Sequence, residues 1–166
     1  MFISDKVIPI FKVVESEGGI DLHIQGTIIE IRDGSGIIFR CPKCNRRVRD
    51  KVCEEDGEVD GVEDLRIKAV IDDGTGAVDV IINREISEKL LEKTLNEYIT
   101  IAREAMDYEV IYDDIVNKLL TANIFVRGYS LSSDFIVTVN VEDAELMQYD
   151  IQREAYELLS QIGDGS

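Results

Sequence analysis

Histidine is almost absent from this chain: His23 stands alone among 166 residues. That scarcity excludes most histidine-dependent chemistry. A nucleophilic thiol or hydroxyl needs a base beside it, and a catalytic zinc is usually held by histidines around an open position. No enzyme is therefore expected. Also missing is any apolar run near the roughly 20 residues of a membrane span, so no membrane partner is expected. The opening, M-F-I-S-D-K-V-I-P-I-F-K, lacks the charged and apolar regions of a signal peptide. The expected compartment is reducing and cytoplasmic. Basic residues are scarce too, 18 against 34 acidic, for a net charge of -16. Taken alone, that balance opposes nucleic-acid binding, whose affinity comes mainly from phosphate contacts.

What is present is unevenly placed. Arg40, Lys43, Arg46, Arg47, Arg49 and Lys51 put six of the 18 basic residues into 12 positions. A basic patch on an acidic body is a local electrostatic footprint. The same stretch, R-C-P-K-C-N-R-R-V-R-D-K-V-C-E-E-D-G, holds all three cysteines, Cys41, Cys44 and Cys53. A C-x2-C turn brings two thiolates to one point, which is half of a structural zinc site. Cys53 begins the second half, and its C-x2 partner is Asp56, a rarer zinc ligand through one carboxylate oxygen. The candidate Zn2+ ligands are thus Cys41, Cys44, Cys53 and Asp56. The alternatives are a degenerate site and three packed thiols without metal. Pro42, Lys43, Asn45, Arg46 and Arg47 make this a polar segment, which favours the metal.

The rest of the chain reads as mainly β. Residues 1–19 form a lead-in strand or loop. Ile20 to Arg32 alternates, with Gly26 marking a bend of the kind a barrel corner needs. His23 falls on its polar face and is expected to be exposed. A knuckle at about 37–62 is spliced in next. It is too small for a core of its own, and metal ligation would supply its folding energy. Asp64 to Asp72 is an alternating strand with Leu65, Ile67, Ala69 and Ile71 inward and Arg66 and Lys68 outward. Asp73-Gly74-Thr75-Gly76 turns it into A-V-D-V-I-I-N. Residues 84–120 carry apolar positions at helical spacing and divide into two or three short helices, with Ser87, Thr94 and Asp107 as candidate caps. Thr121 to Ser130 and Phe135 to Val141 are the last strands. Arg127 and Tyr129 face outward, and Phe135 is expected to fill the interior. Five strands with a helical connection before the fourth make a Greek-key OB barrel, spanning 20–142. Asp143 to Ile162 follows as a closing helix, with the seam Met147, Ile151, Ala155, Leu158 and Ile162, in a terminal segment of 143–166.

This order resembles the C-terminal DNA-binding domain of the large subunit of replication protein A, in its archaeal form. The stretches that carry the resemblance are G-T-I-I-E-I-R-D-G-S-G-I-I-F-R-C-P-K-C-N-R-R-V, D-L-R-I-K-A-V-I-D-D-G-T-G-A-V-D-V-I-I and K-L-L-T-A-N-I-F-V-R-G. They run from about Gly26 to Gly128. The resemblance implies a single-stranded DNA binder of replication, repair and recombination, nucleoid-associated in a cell without a nucleus. It also implies assembly with two smaller subunits through a three-helix bundle formed by the closing helix. The family's pattern is similar to C-x2-C-x8-C-x2-H, and this chain has Asp56 at the last place. The residues expected to meet DNA are Arg40, Arg46 and Arg47 from the knuckle with Arg66, Lys68, Arg127 and Tyr129 from the barrel. In this reading bases stack on the aromatic side chain and the cations track phosphates. A module that mainly assembles partners, with little DNA binding of its own, is the alternative.

Overall fold

The computed structural model describes residues 7–16, 18–147 and 159. Its elements are α1 (Ile10–Glu15), β1 (Gly18–Ile31), β2 (Gly36–Arg40), β3 (Arg47–Val48), β4 (Val52–Cys53), β5 (Gly57–Glu58), β6 (Val62–Asp72), β7 (Ala77–Ile82), α2 (Arg84–Leu91), α3 (Leu95–Ala105), α4 (Glu109–Leu119), β8 (Asn123–Ser133) and β9 (Ile136–Leu146). Five of the strands close on themselves. β1 pairs with β6, β6 with β7, β7 in parallel with β9, β9 with β8, and β8 back with β1. This is the order of an OB barrel. The four short strands β2 to β5 lie in the insert between its first two strands, and α2 to α4 make the connection before its fourth.

β1 can serve two partners because it turns a corner at Gly26 and Thr27. Thr27 pairs with both Asn123 and Asp72. A Cβ on Gly26 would lie 2.5 Å from Ile71 Cγ2 and 2.7 Å from the Asp72 carbonyl oxygen. Only glycine allows this approach of strand to strand, as the bend expected there requires. The alternating apolar positions then fill the barrel: Leu65, Ile67, Ala69 and Ile71 from β6, Val78, Val80 and Ile82 from β7, Ile124 and Val126 from β8. Helices α2 to α4 cap one side of the barrel with Leu91, Tyr98, Ile111, Ile115 and Leu119 in the same core.

Several expectations need correction. The lead-in is not strand or loop alone. Ile10–Glu15 is helical, and Ile10 and Val13 enter the main core. Ile10 N–H is held by Asp73 Oδ2 at 2.9 Å, so this helix seats on the β6–β7 turn. His23 is not exposed, since its side chain is only 12% accessible beside Asp21, and its carbonyl accepts from Ile8 N at 2.9 Å. The chain before β1 folds back over it. Thr94 caps α3, and Asp107 Oδ1 accepts from Glu109 N just ahead of α4. Ser87 caps nothing. It is buried within α2 and donates to the Ile82 carbonyl, while Asn83 is the cap of that helix. Phe135 does not fill the interior, because it is fully exposed at the β8–β9 turn.

The closing helix does not begin at Asp143. Asp143 to Leu146 continue β9 against β8, with Ala144 buried opposite Val126. The ladder overrides the helical pattern there because β8 offers paired backbone groups along its whole length. Met147 is bound to the barrel as well, through its N–H to the Asn123 carbonyl and its sulfur to Gln25. Ile151, Ala155, Leu158 and Ile162 lie outside the described residues.

One polar contact holds the helical layer together. Tyr98 donates to Asp114 Oδ2 at 2.7 Å, and Lys118 and Lys93 approach the same carboxylate at 3.1 and 3.5 Å. Desolvation alone would raise the Asp114 carboxyl. The Tyr98 hydroxyl and the two ammonium groups outweigh it and hold the group below its ordinary range. A depressed carboxylate stabilises the fold above its ordinary pKa and loses that contribution as pH falls through the depressed value. Asp114→Asn is therefore expected to cost about 1–2 kcal/mol at neutral pH. In urea titrations the gap from the parent protein should narrow in acid.

Candidate metal centre and nucleic-acid interface

The insert is shaped by backbone groups that the cysteine turn itself supplies. Cys41 N–H donates to the Arg46 carbonyl at 2.7 Å, and Asn45 N–H to the Cys41 carbonyl at 2.8 Å. Asn45 sits at φ 65, a conformation asparagine tolerates better than most residues. Asp50 and Lys51, both left-handed, then turn β3 into β4, and Cys53 pairs with Gly57 across β4 and β5. The result is a separate small core of Cys41, Val48, Cys53 and Val59, with Phe39 and Cys44 against it.

All four expected ligands meet. Their ligand atoms lie within 4.8 Å of one another. Cys44 and Cys53 sulfurs are 3.5 Å apart, and Asp56 Oδ2 lies 3.2 Å from Cys41 Sγ and 3.6 Å from Cys53 Sγ. A zinc tetrahedron with bonds of about 2.3 Å to sulfur and 2.0 Å to oxygen has edges of about 3.5 to 3.8 Å. The donor set fits that ion. Protonation tells the same story. The Arg46 backbone N–H pulls the Cys44 thiol down, yet lost solvent and the neighbouring Cys53, Asp56 and Cys41 push it up to about 12. The backbone N–H groups of Asp56 and Glu55 hold Cys53 below its ordinary value. The Cys41 and Cys44 thiols do the same for Asp56. Four acidic groups this close cannot all ionise without a cation among them.

The second feature is a knot of like charge. β2 pairs with β3 and β6 so that Arg40, Arg47 and Arg66 share one face. Burial, then repulsion from Arg47, Arg40 and Arg49, lowers the affinity of Arg66 for its proton. Burial, then Arg66 and Arg47, does the same to Lys68. The buried Nε of Arg66 has no hydrogen-bond partner among the described residues. The Arg47 guanidinium lies over Gly34, where a Cβ would meet it at 3.1 Å; Gly34 also sits at φ +85. Of the 18 basic residues, Lys6 and Arg153 fall outside the described set, leaving 16. Eight of these make ion pairs: Arg32, Arg40, Arg46, Arg84, Lys89, Lys93, Arg103 and Lys118. The other eight make none among the described residues, and of these Arg47, Arg49, Arg66 and Lys68 act on one another, while Lys12, Lys43, Lys51 and Arg127 are not part of that group. In a chain with nearly twice as many acids as bases, these cations gather at one place, with Asp64 and Asp79 as the carboxylates that act on Arg66 and Lys68.

The other expected contacts are placed differently. Arg40 is engaged by Asp64 and the Asn45 carbonyl. Arg46 is 2.9 Å from Glu55, and both are half exposed. Arg127 and Tyr129 are on the outer face of β8, whose partners are β1 and β9, so they do not join the β6 cations. A groove of about 510 Å³ runs from Lys68 to Thr138 on β9, lined by Arg32, Ile81 and Tyr112 and by the carboxylates Glu30, Asp33 and Asp79. At that end the β8–β9 hairpin projects Leu131, Phe135 and Ile136, 57%, 103% and 60% exposed. Sequence reasoning places a turn at Leu131 to Asp134 but not the exposed Phe135 at its tip, and does not group Arg49 with Arg66 and Lys68. The signal was available in part: a two-residue turn between strands is usually Asn-Gly or Asp-Gly, and here it is Asp134-Phe135, both left-handed.

No known family profile matches the chain, and no curated protein does. Solved structures do. A chain of yeast replication protein A bound to single-stranded DNA is similar over 100% of both chains, with 15% identity and a TM-score of 0.58. A replication protein A heterotrimer bound to single-stranded DNA matches 85% of this chain, with 13% identity and a TM-score of 0.55. This chain spans 34% of that larger one. The second OB-fold domain of replication protein A from Methanococcus maripaludis is more distant, at 10% identity over 83% of this chain and 94% of that domain, with a TM-score of 0.43. At such identities the likeness shows the fold, a five-stranded OB barrel.

Proposed function

We propose that this chain binds single-stranded DNA with little sequence preference, as a zinc-bearing subunit of a replication protein A-type complex in replication, repair and recombination. The observation that carries the reading is the unpaired cluster of Arg47, Arg49, Arg66 and Lys68 on an otherwise acidic protein. Phosphates of a strand would add counter-charge to it. The groove leads from there to the exposed hairpin tip, where bases find an apolar platform. Zinc held by Cys41, Cys44, Cys53 and Asp56 fixes the knuckle, and with it Arg47 and Arg49. Binding of labelled oligothymidine, measured at two salt concentrations, tests this directly. An affinity that did not fall with salt would refute it.

Phe135 gives a sharper test. A left-handed non-glycine residue costs roughly 1–2 kcal/mol, and this one is fully solvent-exposed. Phe135→Gly is expected to stabilise the fold by about 1 kcal/mol while weakening oligothymidine binding by roughly 1–3 kcal/mol. Calorimetry and anisotropy on the same sample separate the two effects. Assembly with two smaller subunits through Ile151, Ala155, Leu158 and Ile162 belongs to the same reading. Ile151→Asp with Leu158→Asp should abolish co-elution with such partners and leave DNA binding of the isolated chain intact.

A further inference from the structure

The ribbon that presents the cations has a second face of opposite character. β2 and β3 pair Phe39 with Val48, and this side turns away from Arg40 and Arg47. Phe39 meets Tyr108 edge to face, with ring centroids 6.0 Å apart. Beside Phe39 and Val48 lies a groove of about 420 Å³, walled also by Asp50, Lys51, Asp60 and Gly61. Such a volume falls within the range of ligand-sized clefts. Its floor is apolar and aromatic. Gly61 packs so closely that a Cβ there would lie 2.7 Å from Phe39 Cβ, which keeps the groove open. Two exposed carboxylates, Asp50 and Asp60, stand in its wall with Lys51, and Asp107 and Glu109 flank Tyr108 in the sequence. Tyr108 is 49% exposed and nearby Met106 is 91% exposed.

An acid-rimmed apolar cleft repels a nucleic-acid strand. A second copy of this chain, at a net charge of -16, is a poor occupant for the same reason. The geometry points to a docking site for a basic protein segment, one bulky apolar side chain seating on Phe39 and Val48 beside the Phe39–Tyr108 pair while flanking Lys or Arg residues meet Asp50 and Asp60. An aromatic anchor in a pocket with complementary charge at the rim is the usual economy of peptide recognition. Because the site lies on the other face of the ribbon from the cation cluster, it stands whether or not the chain binds DNA.

The probe is a short fluorescein-labelled peptide with a single Trp flanked on each side by Lys and Arg, and a control with Ser in place of Trp. With the full chain, the Trp peptide is expected to bind at least about tenfold more tightly. Asp50→Asn with Asp60→Asn should weaken it about fivefold; asparagine tolerates the left-handed position at residue 50. Tyr108→Ala should erase the difference between the Trp and Ser peptides, and saturating oligothymidine should not displace the peptide. Equal affinity for the two peptides, displacement by oligothymidine, or no response to the double Asp→Asn change would overturn the assignment. The Asp variants decide the matter even where Tyr108→Ala fails to fold.

Discussion

Arg66→Glu combined with Lys68→Glu is expected to reduce oligothymidine affinity at low salt by about 50-fold or more. Lys68 lines the groove and Arg66 shares its face of β6, so on the proposed reading two phosphate contacts are lost outright. Each such contact contributes roughly 0.7 to the slope of log affinity against log salt for single strands, so the slope should flatten by roughly 1.4. New carboxylates facing Arg47 and Arg49 also neutralise the cations that remain, which makes reversal stronger than deletion. Stability should move the other way. Arg66 is half-buried among like charges, its Nε without a hydrogen-bond partner among the described residues, and a glutamate there relieves that repulsion. A variant that melts no lower than the parent but has lost its salt-dependent DNA binding would isolate the electrostatic role. Unchanged binding would show that the strand runs elsewhere.

Removing the metal has the next largest effect. Chelation at neutral pH is expected to release about one equivalent of zinc and to unfold the small core of Cys41, Val48, Cys53 and Val59. The barrel core contains none of these residues, so the main thermal transition should shift by only a few degrees. Oligothymidine affinity should fall about tenfold or more, because Arg47 on β3 and Arg49 just after it lie within the released segment. Cys53→Ser should reproduce the loss. Asp56→Ala should lower metal affinity by on the order of tenfold, and Asp56→His should raise it, since imidazole is the commoner partner of three thiolates. Elemental analysis against a graded chelator series checks all three. Retention of zinc by Cys53→Ser would exclude the four-ligand arrangement.

How much of this was readable from the chain depends on whether the cause was local. The barrel strands were legible because their apolar positions alternate, and the inward set of β6 is the set expected. The gathering of Cys41, Cys44, Cys53 and Asp56 was legible because a C-x2-C turn fixes its first two members and the C-x2 spacing repeats in the last two. Arg66 and Lys68 were legible as outward residues, but their crowding with Arg47 and Arg49 was not. That depends on β2, β3 and β6 lying side by side, which no spacing within one strand reveals. The errors share a cause. His23 is covered by a segment arriving from outside its strand. Asp143 to Leu146 carry part of a helical pattern, but β8 supplied a ladder that outweighed it. Phe135 looked like core because large aromatic residues usually are; its place was decided by a turn that leaves the side chain no route inward.

The division of the interior into two unconnected cores has an evolutionary side. An excursion that leaves the barrel at Arg32 and returns at Val62 carries its own scaffold and meets the helices at Phe39 and Tyr108 and, near its root, at Gly36 beside Ile111. Lineages could therefore lengthen it, trade its ligands, or discard it altogether, and the vessel it was grafted onto would still close.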